Sequence, residues 1–352
     1  MEIIAKIENV DYKPKLCRTL PEYDFSDLEE ALAKSSFLLN LKNRSKVAIS
    51  RWVTPKRTRS YPYARVYDTL SFKPRITIIP VMKDEGIDGD RDYLQFDTIS
   101  MMNLLDIYVI PAYYVKAVKN TRDLGKQKIT KQEFDVEYIK KKILEIFNYH
   151  FGPIHWNINQ IEQIKAIGQK SIDAYSMISS KTGVLMHRTN DANERFKEIG
   201  ESLEKFKSLS RHNAELAAYR EVHTFHEKES TVGEKPTLII ENYLGGKYYL
   251  TVDEIRIDKV KKIIQLIEAK NTTNALKPFT SIADIKDAIF KMIIFTNLEN
   301  LIVDGEAYMH ESIVKLTSLR EFNFEKLEQR QKEQYEMLKL EAQTNNFSII
   351  HQ

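Results

Sequence analysis

Three residues of this chain have the types and spacing for one chemistry: Asp253, Glu268 and Lys270. They lie in "KYYLTVDEIRID", then "KVKK", then "IIQLIEAKNT", two runs of alternating apolar residues around a short basic loop. With Lys259 to Lys262 as the loop of an antiparallel hairpin, Asp258 faces Ile263, Ile257 faces Ile264, Ile255 faces Leu266 and Asp253 faces Glu268. Directly opposed residues share a face, with side chains ~5 Å apart. Lys270, two positions beyond Glu268, falls on that face too, because strands alternate. Asp258 is the rival acid, but this register leaves it at the loop. Two converging carboxylates repel unless a divalent cation neutralises them, and hard oxygen ligands of this kind suit Mg²⁺. A metal beside a lysine can activate water and offset charge on a phosphate oxygen, which is the apparatus of phosphodiester hydrolysis.

These residues need elements to hold them. "TLIIENYL" reads as a strand ending near Glu241, a candidate further metal ligand. "SIADIKDAIFKMIIFTNLEN" reads as a helix, with Ser281 capping and Asp284 three residues on. Its apolar stripe comprises Ile282, Ile285, Ile289, Met292, Ile293 and Thr296. "LIVDG" is expected to be a last strand and "EKLEQRQKEQYEMLKLEAQ" a polar terminal helix.

The order of these elements around "TVDEIRID…LIEAK" resembles the PD-(D/E)XK nuclease superfamily, which includes many restriction endonucleases. The resemblance maps that family's first acid onto Asp253 and its (D/E)-X-K triplet onto Glu268-Ala269-Lys270. Val252 stands where the motif's proline would be. The resemblance implies an αβββαβ core over roughly residues 211 to 305, Mg²⁺ as cofactor and double-stranded DNA as substrate; a duplex has two strands to cut, so a symmetric homodimer is expected. The fold class expected is α/β, a mixed central sheet flanked by helices, with additional helical segments.

A second constellation lies in the first half. Asp68 precedes "RITIIPVMK", a strand ending in Lys83. A helix read over "DYLQFDTISMMNLLD" follows, then a strand over "IYVIPAYYVKAV", which implies a parallel crossover. Val81 occupies the place of a second acid, so Asp92 or Asp97 from the helix would have to replace it. The acidic loop "KDEGIDGDRD" also mimics part of a calcium loop, but it lacks the closing Glu and joins a strand to a helix.

The densest basic segment is "RWVTPKRTRSYPYAR". Arg51, Lys56, Arg57, Arg59 and Arg65 alternate with Trp52, Tyr61 and Tyr63, a composition suited to phosphate contacts and base stacking. Elsewhere, Ser26 with Glu29 and Thr130 with Glu133 predict capped helices. Residues 157 to about 230 read as mostly helical, with an interruption at Gly183.

Bulk composition sets limits. The 352 residues are 42% hydrophobic and 29% charged, within the range of folded proteins. Lys and Arg number 53 against 50 Asp and Glu, a net charge of +3, so a nucleic-acid partner has to be read from local clusters. The single cysteine, Cys17, excludes an intrachain disulfide and fits a reducing, cytoplasmic location. No stretch has the length and apolarity of a membrane span. The expected organisation is an α/β region with the DNA-contact segment at 1–150, a helical segment at 151–232 and the nuclease-like core with the terminal helix at 233–352. Three other functions stay open: a repair or structure-specific nuclease, a non-catalytic DNA-binding protein and an interaction protein.

Overall fold

The computed structural model describes all residues except 1, 42–44, 55–61, 123–124, 224–235, 273–279 and 319–321, and gives the backbone alone at 62, 214 and 217–223. The first half forms β1 (Ile3–Ile7), β2 (Glu22–Asp24), α1 (Leu28–Ala31), β3 (Ser36–Asn40), β4 (Lys46–Arg51), α2 (Pro62–Tyr67), β5 (Arg75–Pro80), β6 (Met82–Asp84), β7 (Arg91–Tyr93), α3 (Phe96–Leu104), β8 (Tyr108–Ala112), β9 (Tyr114–Lys119), β10 (Ile129–Phe134) and α4 (Val136–Phe147). Four helices follow: α5 (Pro153–Glu162), α6 (Ile164–Thr182), α7 (Thr189–Ile199) and α8 (Leu203–His223). The last part is β11 (Thr237–Asn242), β12 (Lys247–Thr251), β13 (Glu254–Asp258), β14 (Ile263–Thr272), α9 (Ile282–Phe295), β15 (Glu299–Val303), β16 (Glu306–Ala307), β17 (Met309–Ser318), α10 (Gln329–Thr344) and β18 (Phe347–His351).

The α/β class is as expected, but the described strands form five sheets rather than a single central one. The chain divides into two compact units, one made of Met1–Arg18 with Arg211–Gln352, the other of Thr19–Ser210. These limits, at 18 and 210, differ from the 150 and 232 read in the sequence. Two physical reasons account for this. Strand β1 pairs in parallel with β11 and antiparallel with β15, which ties the N-terminus to the C-terminal unit. Helices α5 and α6 pack on β8 and β9, so the helical stretch belongs to the body of Thr19–Ser210.

In the Thr19–Ser210 unit a five-stranded sheet has the order β2-β3-β4-β5-β8. The expected parallel crossover is present, β5 pairing β8. The intervening helix is shorter than read, because Arg91–Tyr93 is a strand paired with β6. The strand expected from Ile107 to Val118 is two, β8 and β9, and β9 leaves the sheet to pair with β10. That pairing overturns the Thr130 cap: Ile129–Phe134 is extended, and Asp135 caps α4 by accepting from the Tyr138 N–H at 3.0 Å. The Ser26 helix shrinks to one 3-10 turn and the four residues of α1. The Gly183 break is real, since Gly183 ends α6 in the left-handed region at φ 66°.

In the other unit two sheets form. One has the order β12-β11-β1-β15-β16 and the other β13-β14-β17-β18. Helix α9 starts where the sequence predicts: Ser281 accepts from the Asp284 N–H at 3.2 Å. Its buried stripe, with Ile285, Ile289, Met292 and Ile293, packs across β14 and β17. Each such side chain stabilises by about 1.5–3 kcal/mol. The strand that completes the crossover is β17, parallel to β14. "LIVDG" instead supplies β15, in the other sheet. No helix among the described residues is long and apolar enough to cross a membrane.

Candidate active site

The hairpin forms in the register the apolar pattern dictates. Asp258 pairs with Ile263, Ile257 with Ile264, Ile255 with Leu266 and Glu254 with Ile267. Asp258 closes the loop: its Oδ1 accepts from the Val260 and Lys261 N–H groups at 3.0 and 2.9 Å. The rival acid is thus a turn residue. One strand read over "KYYLTVDEIRID" is two, because Val252 is fully buried and its N–H bonds to Pro236 O, after which the chain changes sheets. Asp253 sits at that change, just beyond the Glu254–Ile267 pair. Its Oδ2 accepts from the Ala269 N–H at 2.9 Å, so the first acid of the motif is clipped to the middle of Glu268-Ala269-Lys270.

Along β14, Ile264, Leu266, Glu268 and Lys270 share the face covered by α9. The face is apolar for two positions and ionic for the next two. Glu268 is 1% exposed. Its Oε1 lies 3.0 Å from Lys270 Nζ and its Oε2 2.7 Å from Lys291 Nζ. Lys270 also reaches Asp287 at 3.1 Å, and Lys291 donates to Thr251 O at 3.1 Å. Asp287 and Lys291 are i and i+4 on α9, hence on one face of the helix. Neither was expected from the sequence. The available signal was an acid and a lysine four residues apart on the helix that follows the E-X-K strand.

Burial pushes the Glu268 carboxyl up, the Asp253 charge adds to that push, and Lys291 and Lys270 oppose it. Burial pulls both lysines down. Glu268 and Asp287 outweigh it at Lys270, and Glu268 and Asp253 outweigh it at Lys291, so both stand above the usual lysine range. The two sides of this pair point opposite ways. Two ammoniums within 3.0 Å of one carboxylate decide for the ionised form.

On the other face of the hairpin Glu254 accepts from Lys315 at 2.8 Å and Arg256 at 2.7 Å. The Lys315 hydrogen bond, then that of Arg256, holds the Glu254 carboxyl below the usual carboxylate range. A depressed folded pKa contributes stability above the unfolded pKa and loses it as pH falls through the folded one. Melts at about pH 6 and about pH 3 should therefore show wild type losing more stability on acidification than Glu254→Gln. Equal losses would show that Glu254 makes no such contribution.

Glu241 is not brought to this cluster. It lies on β11, in the other sheet, half exposed and 3.7 Å from Arg211. The second constellation fares differently from its reading. Lys83 pairs with Glu85 at 2.6 Å. Asp92 is on β7, opposite Lys83, rather than on a helix, and accepts from Thr54 at 3.1 Å. Asp68 and Asp97 are buried, Asp97 in the first turn of α3, and Val81 is a core residue. Asp84, in the acidic loop, accepts from the Gly86 N–H at 2.8 Å and lies 2.9 Å from His187 Nδ1, which makes the loop a tied hairpin.

Of the basic segment, Lys56, Arg57, Arg59 and Tyr61 lie outside the described residues. Arg65 donates to Arg51 O at 2.8 Å, and Arg51 is largely buried, which lowers its pKa. Trp52 is fully buried and presents no ring for stacking.

Among the described residues no group of three or more His, Cys, Asp or Glu side chains gathers as a metal cage. Mg²⁺ does not need one, since it keeps several waters and takes one or two carboxylates. Asp253 and Glu268 offer that donor set. No protein-family model, no curated protein and no solved structure matches this chain, so the site stands on its own geometry.

Proposed function

We propose that the protein is a Mg²⁺-dependent endonuclease that hydrolyses phosphodiester bonds of double-stranded DNA site-specifically, in the manner of type II restriction enzymes. The observation that carries the reading is the convergence of Asp253, Glu268 and Lys270 at the end of β14, on the face covered by α9. The β13–β14 hairpin, α9 and the parallel strand β17 support a restriction-endonuclease-like core. Asp253 and Glu268 would hold the metal, which when bound lowers the pKa of water and offsets phosphate charge. Lys270, already aimed by Glu268 and Asp287, would orient the attacking water while a P–O bond of the backbone breaks. Arg51, Lys56, Arg57, Arg59, Tyr61 and Arg65 are the proposed DNA contacts. A duplex has two strands to cut, so a symmetric homodimer in the cytoplasm belongs to the same reading.

One observation favours a second reading. Both oxygens of Glu268 are taken by lysines, as in a structural ion-pair network. On that reading the chain binds duplex DNA without cutting it, with a steep salt dependence. Phage-length duplex DNA incubated with the purified protein and Mg²⁺ separates the two. Discrete fragments are expected. Intact DNA under Mg²⁺, Mn²⁺ and Ca²⁺ alike would overturn the nuclease reading.

A further inference from the structure

We propose that Lys291 is a positioning residue that competes with the divalent cation for Glu268 and so ties metal loading to the arrival of the phosphate. This inference rests on the nuclease reading of the site. The Lys291 ammonium bridges Glu268 Oε2 at 2.7 Å and Thr251 O at 3.1 Å. It is anchored at the carboxylate, at the backbone two residues before Asp253 and, through its stem, on α9. Lys270 holds the other oxygen of Glu268 and divides its charge with Asp287.

The charges then count as follows. Among the described residues, Asp253, Glu268 and Asp287 supply three negative charges to the cluster, and Lys270 and Lys291 two positive ones. A divalent cation converts the remaining −1 to +1, in a site where Glu268 is almost wholly shielded from water. A phosphodiester brings the sum to zero. Cation and phosphate each bind better with the other present, and linkage makes the two gains equal. Without Lys291 the cation alone neutralises the cluster, and the phosphate adds a charge that nothing offsets. Lys291 thus sets a weak affinity for the bare metal and a stronger one for metal with DNA.

Ca²⁺, which shares the preference for oxygen ligands, is the probe. Calorimetric titrations with and without a short duplex compare wild type, Lys291→Met, Lys291→Arg and Glu268→Gln, with folding verified by circular dichroism. Lys291→Gln replaces the Met variant if that variant is unfolded. Wild type should gain at least about tenfold in Ca²⁺ affinity when duplex is present. Lys291→Met should bind bare Ca²⁺ at least about tenfold tighter than wild type and gain less from duplex, while Lys291→Arg follows wild type. If Glu268→Gln loses Ca²⁺ but Lys291→Met matches wild type or binds more weakly, the inference fails and the nuclease reading stands. If wild type binds no Ca²⁺ with or without duplex, both fail.

Discussion

Glu268→Ala should abolish Mg²⁺-dependent cleavage, by at least about a thousandfold, and lower the stability of its unit by about 3 kcal/mol. The two effects share one cause. Glu268 is the group on which Asp253, Lys270 and Lys291 converge, and each oxygen carries one ammonium. Its removal takes away one of two carboxylates able to hold a metal and leaves two lysines facing one another. Breaking a buried ion pair costs about 3–5 kcal/mol because the remaining charge is uncompensated. The lower end applies here, since Lys270 and Lys291 keep 20% and 17% of their side-chain surface in contact with solvent and Lys270 retains Asp287. Glu268→Gln preserves volume and separates chemistry from folding. Lys270→Ala should cost about 10²–10³ in cleavage with a smaller loss of stability, because Lys291 still pairs Glu268. Lys83→Ala, in the other unit, should cut as wild type does. Cleavage rates on phage-length DNA beside thermal melts decide the matter. Retained cutting by Glu268→Ala, or loss of cutting in Lys83→Ala alone, would move the active site away from β14.

Local rules made the hairpin legible. Three of the four pairs read from period-two alternation form, Asp253 lying just beyond the last pair of the ladder, and the loop is fixed by Asp258, whose side chain bonds two loop N–H groups. The capped start of α9 was legible for the same reason, a side-chain bond three residues long. What the sequence hid depends on distant chain. Strand β1 lies in a sheet with β11 and β15, pairings that no local pattern announces. Residues 129–134 look like the start of a capped helix, yet their partner strand β9 holds them extended. Asp287 and Lys291 escaped because the apolar stripe of α9 locates its buried face but not which strand lies under it. Only the crossover to β17 shows that Glu268 and Lys270 are what these two side chains meet.

The second large effect concerns stability alone. Glu341, on α10, is fully buried. Its Oε1 accepts from Tyr12 Oη at 2.8 Å, and its Oε2 accepts from the Lys15 and Leu16 N–H groups, both at 3.0 Å. One turn on, Asn345 accepts from the Lys13 N–H at 2.7 Å and donates to Lys13 O at 3.0 Å. Among the described residues the irregular segment after β1 joins no sheet, and these two side chains bond its backbone in place of a ladder. Glu341→Ala removes these three hydrogen bonds to a charged acceptor and leaves the Leu16 N–H buried and the Tyr12 and Lys15 donors part-buried, which should cost about 3–5 kcal/mol. Glu341→Gln keeps one acceptor oxygen and should cost less; Asn345→Ala, which loses neutral bonds, should cost about 1–2 kcal/mol. Urea melts measure all three, and faster tryptic cleavage after Lys15 reports local release of the segment. At temperatures where the variant stays folded, cleavage of DNA should persist, because Glu341 lies on α10 whereas the Glu268 cluster is built on β14 and α9. A Glu341→Ala protein within about 0.5 kcal/mol of wild type would mean that water replaces the clasp at no cost. A folded variant that no longer cuts would instead show that this clasp holds the active-site sheet in its working form.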